Sequence, residues 1–124
     1  MNTKTKLILF TALALLVIIP GSLSNIGMVY GYYNTFFDAL YAVNEYVCLH
    51  EIAHEADVKN GWVSKSDEWK QAAAGYDLSQ GYTELYANTY SDFMGHADAM
   101  PQELVGFYDF GMLHSLRIER CGGY

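Results

Sequence analysis

Apolar positions along the chain change their period from one region to the next. Leu7 to Ile19 is apolar throughout except for Thr11, follows Lys4 and Lys6, and ends at Pro20-Gly21-Ser22. Asn25 to Tyr33 mixes glycines with aromatics and reads either as an extended strand or as a linker. Phe37, Leu40, Tyr41, Val43, Val47 and Ile52 then follow helical better than strand spacing. That pattern predicts one long helix, straight or kinked, capped by Asn34 or Thr35, beginning near Phe36 and running to Lys59. Asn60-Gly61 is a usual C-terminal stop. Ser66 is placed to cap a short helix from Trp69 to Ala74, with Asp67 and Glu68 at its positive end. A third helix is expected over about Thr83–Met94. A fourth should start at Pro101 and carry Leu104, Phe107, Tyr108, Met112 and Leu116 to near Arg120. The expected class is therefore mainly α, with little or no sheet.

The first segment has the form of an export signal: basic residues, an apolar stretch, then small residues at Ser22 and Ser24 where a signal peptidase cuts. Its 13 apolar-run residues span about 20 Å as a helix, short of the roughly 30 Å of bilayer hydrocarbon. No charge occurs between Lys6 and Asp38, however, which leaves an uncleaved anchor reaching toward Val29 or Tyr30 as the alternative. Residues 1–24 thus read as signal peptide or membrane anchor, and residues 25–124 as one domain. Either way the domain is extracytoplasmic, secreted or membrane-anchored, with membrane contact open to residues 7–30. In an oxidising compartment Cys48 and Cys121 can pair, the alternative being two buried thiols.

Composition narrows the partners. The chain has 124 residues, 7 Lys plus Arg against 14 Asp plus Glu, and a formal net charge of −7. Such acidity excludes a phosphate-binding face, and with it nucleic acid. With 11 Tyr, 6 Phe and 2 Trp, aromatic side chains supply the core.

Candidate chemistry sits at His50-Glu51-Ile52-Ala53-His54. Residues four apart share one helix face, so two imidazoles can converge on one Zn²⁺. Glu51 can then take a proton from a water activated by the metal and deliver it to a leaving amine. A catalytic zinc needs a third protein ligand and an open position. Asn60 stands where one class of such enzymes has a third His. Glu84, early in the third helix, is the better candidate. Glu55 faces away from the two histidines and reads as solvated surface. Trp62 and Trp69 read as a packing pair, Arg117 and Arg120 as ordinary helix-end charges, His96 as a loop residue and His114 as a core or capping residue.

His50-Glu51-Ile52-Ala53-His54-Glu55-Ala56-Asp57, followed by Glu84-Leu85-Tyr86-Ala87 and Tyr90, resembles the anthrax-lethal-factor-like group of gluzincin metallopeptidases. Gly61-Trp62 and Ser64 to Trp69 resemble a region of its secreted members. The resemblance covers about residues 45–115. It implies a zincin-like helical domain hydrolysing a peptide or protein substrate. It further implies His50, His54 and Glu84 as zinc ligands and Glu51 as general base. A Tyr shortly before the third ligand would stabilise the oxyanion; Tyr76 is preferred over Tyr82. Asp57 would support a His ring or the helix junction, and Asn88 stands where the family often has a second supporting acid. The chain departs from the pattern upstream, where some 20 residues take the place of the family's sheet and its substrate-holding edge strand. A non-catalytic zinc-binding envelope or membrane-complex protein that keeps the same helix is the alternative reading.

Overall fold

The computed structural model describes residues 30–122. The signal or anchor segment lies outside them, and among the described residues no helix is long and apolar enough to cross a membrane.

The described chain opens as a β-hairpin: β1 (Gly31–Asn34) pairs antiparallel with β2 (Ala39–Ala42), Tyr32 opposite Tyr41 and Tyr33 opposite Leu40. This corrects the expected helix start near Phe36. The Asn34 side chain captures the Phe37 N–H at 2.8 Å, forming a side-chain-closed turn. Asp38 then adopts a left-handed φ of 49°, which a helix cannot continue through. What looked like helical spacing is strand alternation: Leu40 is buried, whereas Tyr41 faces out.

Helix α1 (Glu45–Lys59) begins at Asn44, whose side chain accepts the Val47 N–H at 2.9 Å, and stops at Asn60-Gly61 as expected. Leu49, Ile52, Ala53 and Ala56 are fully buried, making α1 the central element. A 3-10 turn (Val63–Lys65) leads to α2 (Asp67–Ala72), capped by Ser66 through the Trp69 N–H at 3.1 Å. Helix α3 (Tyr82–Asp92) packs along α1.

The expected fourth helix is two. Helix α4 (Gln102–Val105) ends at Gly106, and α5 (Phe110–Cys121) starts afresh from Asp109, whose side chain accepts the Met112 N–H at 3.0 Å. Between them Tyr108 turns into the core, stacks on Tyr86 with ring centres 4.4 Å apart, and donates its hydroxyl to the Tyr86 carbonyl at 2.7 Å. Ring stacking and a satisfied buried hydroxyl outweigh one uninterrupted helix. Trp69 is fully buried, edge-on to Tyr86 and Phe107. Trp62 does not pair with it: its ring is 37% exposed, with the Lys65 ammonium 3.8 Å above it.

A disulfide joins Cys48 on α1 to Cys121 on α5. Beside it lies a second correction. Glu55 is fully buried rather than solvated, and Arg120 is no ordinary helix-end charge. The Arg120 guanidinium donates to both Glu55 oxygens at 3.1 Å and to Asp38 at 2.9 Å. Lys59 completes the cluster, 2.6 Å from Glu55 and 3.4 Å from Asp38. Two acids and two bases therefore tie the hairpin, α1 and α5 together.

Candidate metal centre

Helix geometry places His50 and His54 on one face of α1, one turn apart, with ring centres at 4.7 Å. Helix α3 brings the Glu84 side chain to that face from its own first turn. The three groups then converge: His50 Nε2 lies 3.1 Å from Glu84 Oε2, His54 Nε2 lies 3.1 Å from Glu84 Oε1, and the two Nε2 atoms are 3.1 Å apart. Among the described residues this is the one group of acids, imidazoles or thiols gathered closely enough to hold a metal ion.

Protons cannot satisfy this triangle while Glu84 is ionised. Each Nε2 needs a hydrogen to donate to its carboxylate oxygen, but then two N–H groups face each other across 3.1 Å. Remove one hydrogen, and that nitrogen meets a carboxylate oxygen lone pair to lone pair. A proton on Glu84 or a cation shared by the three side chains resolves the conflict. Tetrahedral zinc with bonds of about 2.1 Å sets neighbouring donors about 3.4 Å apart, close to the 3.1 Å spacing here. Two imidazoles and one carboxylate are also a donor set that zinc accepts while keeping a fourth position open. The residues fit the ion.

Electrostatics agree with the packing. Hydrogen bonds from His50 and His54 hold the Glu84 carboxyl far below the usual carboxylate range. Burial lowers the His54 imidazole, but Glu84 outweighs it and the net shift is upward. Burial likewise pushes the Glu51 carboxyl up, with the two imidazoles partly opposing. That carboxyl is only 6% exposed, yet it borders two clefts, one on each side of the histidine pair.

Support for Glu84 comes from behind. Asp57, fully buried, accepts the Ser64 N–H at 2.8 Å and the Ser64 hydroxyl at 2.6 Å. Ser64 Oγ in turn lies 2.9 Å from Thr83 Oγ1, one residue before Glu84. Asp57 therefore braces the junction between α1 and α3. Asn88 lines the cleft next to His50, its amide 3.5 Å from Gln80. Tyr76 goes elsewhere: its hydroxyl donates to Glu103 on α4, and it lines neither cleft. The Tyr82 carbonyl accepts the Trp69 indole N–H at 3.1 Å. His96 precedes the 3-10 turn Ala97–Ala99 and His114 lies on α5; neither joins the cluster.

Strand β1 takes up the extended alternative read for Asn25 to Tyr33; its approach to Glu51 is the part that sequence reasoning missed. Val43 N–H donates to the Tyr30 carbonyl at 3.0 Å, and antiparallel alternation then leaves the main-chain groups of Gly31 and Tyr33 on the outer edge of β1. The Tyr33 N–H reaches the Glu51 carboxylate. Gly31 permits this approach: a Cβ there would strike the Val47 side chain and come within 3.3 Å of Glu51 Cγ. A glycine between tyrosines was the available signal. The two clefts open along this edge, one lined by Tyr32, Tyr33, Val58 and Trp62, the other by Tyr30, Tyr46 and Val47. Compared with known protein families, curated proteins and solved structures, the chain matches none.

Proposed function

We propose that the protein is an exported zinc-dependent metallopeptidase of the gluzincin type, with His50, His54 and Glu84 holding the ion and Glu51 as general base. One observation carries the reading: two imidazoles and one carboxylate from two helices converge at 3.1 Å, with a contact left mismatched while Glu84 is ionised. Bound zinc supplies a Lewis acid that polarises a carbonyl and lowers the pKa of water toward ~7. The chain supplies the rest. Glu51, one step along α1 from His50, accepts the water's proton and returns it to the departing amine. Burial raises the Glu51 carboxyl, and the imidazoles and the Tyr33 N–H limit that rise. The outward-facing Gly31 main chain and the Tyr33 carbonyl offer an extended peptide a strand edge to pair with, and the flanking clefts offer room for its side chains. Two strands thus stand in for a full sheet, which supports a peptide or protein substrate.

The test is Glu51→Gln in the zinc-loaded chain, assayed on an unstructured protein substrate. Zinc content should stay unchanged while hydrolysis falls by about 10²–10⁴-fold. Zinc retention with no hydrolysis in either protein would point to the non-catalytic envelope protein instead.

A further inference from the structure

Exposed large apolar side chains cluster on the hairpin. Tyr30 is 52% exposed, Phe36 85%, Tyr41 36% and Val43 45%. Register explains the grouping. Gly31, Tyr33, Leu40 and Ala42 alternate toward α1, so Tyr30, Tyr32, Tyr41 and Val43 share the opposite face. Tyr32 and Tyr41 form a cross-strand ring pair at 5.4 Å on it. Phe36 projects from the turn, braced edge-on by Phe37. An apolar face of this kind marks an interaction surface.

The sequence indicates what covers it. From Leu7 to Phe37 the chain carries no charged residue, and its all-round apolar run ends only ten residues before Tyr30. Ten residues reach at most about 35 Å, which holds the hairpin close to whatever receives that run. One hairpin face cannot cover a run from Leu7 to Ile19 that is apolar at every position but Thr11, so folding the run back would leave part of it in water. In the membrane-anchored reading of residues 1–24, a bilayer takes up the whole run. Tyr and Phe on the hairpin are also the side chains that favour the boundary between headgroups and acyl chains. A net charge of −7 opposes attraction to anionic lipid, so apolar contact must drive the docking.

We propose that the outer face of the β-hairpin, Tyr30, Tyr32, Tyr41 and Val43 with Phe36 at its tip, docks on the surface of the bilayer that takes up Leu7–Ile19. Tyr30 and Tyr32 of this face also line the clefts beside the candidate metal centre. Docking therefore sets that site beside the membrane, where a chain emerging from the bilayer is within reach. This last consequence rests on the proposed peptidase activity; the docking does not.

The experiment uses the whole chain in phosphatidylcholine vesicles, with Phe36→Trp as reporter. Lipid brominated along the acyl chain should quench this variant's added fluorescence strongly, and equally at low and high salt. Ile118→Trp serves as control, since Ile118 is a 64%-exposed apolar residue on α5 outside the hairpin. It should be quenched several-fold less. Equal quenching at both positions overturns the proposal, because the hairpin face then has no preferred contact. No quenching at Phe36, together with cross-linked dimers in the same vesicles, overturns it in favour of a second copy as the occupant. Loss of peptidase activity leaves the quenching result intact, so the two proposals fail separately.

Discussion

Helix α1 carries two polar clusters that differ in one respect, whether their own atoms close them. On one side Glu55 and Asp38 face Arg120 and Lys59, and each carboxylate meets cations at hydrogen-bond or ion-pair distance. On the other, His50, His54 and Glu84 crowd together with one contact mismatched while Glu84 is ionised. The first cluster lies beside a disulfide and joins three elements. The second opens on two clefts and borders a free strand edge. Buried charges that balance internally hold a fold in register. Imidazoles and a carboxylate gathered within reach of one ion mark a candidate site.

This contrast can be broken from the closed side. The double substitution Cys48→Ser with Cys121→Ser releases a loop of sequence separation 73. It should cost about 4 kcal/mol in urea unfolding, while the zinc-loaded form regains part of that loss by binding. Arg120→Met comes next. It strands the fully buried Glu55 with Lys59 alone, so a loss of about 3 kcal/mol is expected, again by urea midpoint. A loss below 0.5 kcal/mol (an estimate of the surface-pair scale) would mean the cluster is a surface pair after all.

The smallest effect is on pH. Burial raises the Asp38 carboxyl, but Tyr33, Lys59 and Arg120 outweigh it and the net shift is downward. A carboxyl depressed on folding adds stability above its unfolded pKa and loses it as the pH falls through the folded one. Asp38→Asn should therefore destabilise by about 0.5–1 kcal/mol at pH 7, a modest amount because the side chain is partly exposed. The difference should narrow below the ordinary Asp value near 3.9 and vanish only once the pH is under the depressed folded pKa. A difference that persists there would assign the effect to the turn rather than to the charge.

The two clusters were not equally legible in the sequence. His50, Glu51 and His54 announce themselves because a helix turns their fixed spacing into proximity. Cys48 with Cys121, the Ser66 cap and the stop at Asn60-Gly61 are local or compositional signals of the same kind, and the structure has each of them. Glu55 could not be read, since its partners Asp38 and Arg120 are brought to it only by the tertiary fold. The hairpin hid behind an ambiguity of period: Leu40, Tyr41 and Val43 suit both spacings, and Asn34 with the left-handed Asp38 decides between them. Tyr108 broke the last helix for the sake of stacking on Tyr86, a contact between distant segments that periodicity cannot register. Gly31 was visible as a glycine, but its reason, the approach of β1 to Glu51, lies in the packing.

The central claim is that His50, His54 and Glu84 close around one divalent ion. Metal analysis of the purified whole chain beside Glu84→Ala, after exchange into zinc and dialysis, addresses it directly. About one zinc per chain is expected for the parent, with affinity lowered about 10³-fold in the variant, the share of one ligand in a site bound by 10–16 kcal/mol as a rough scale. Equal zinc in both proteins, or none in the parent, would contradict the account.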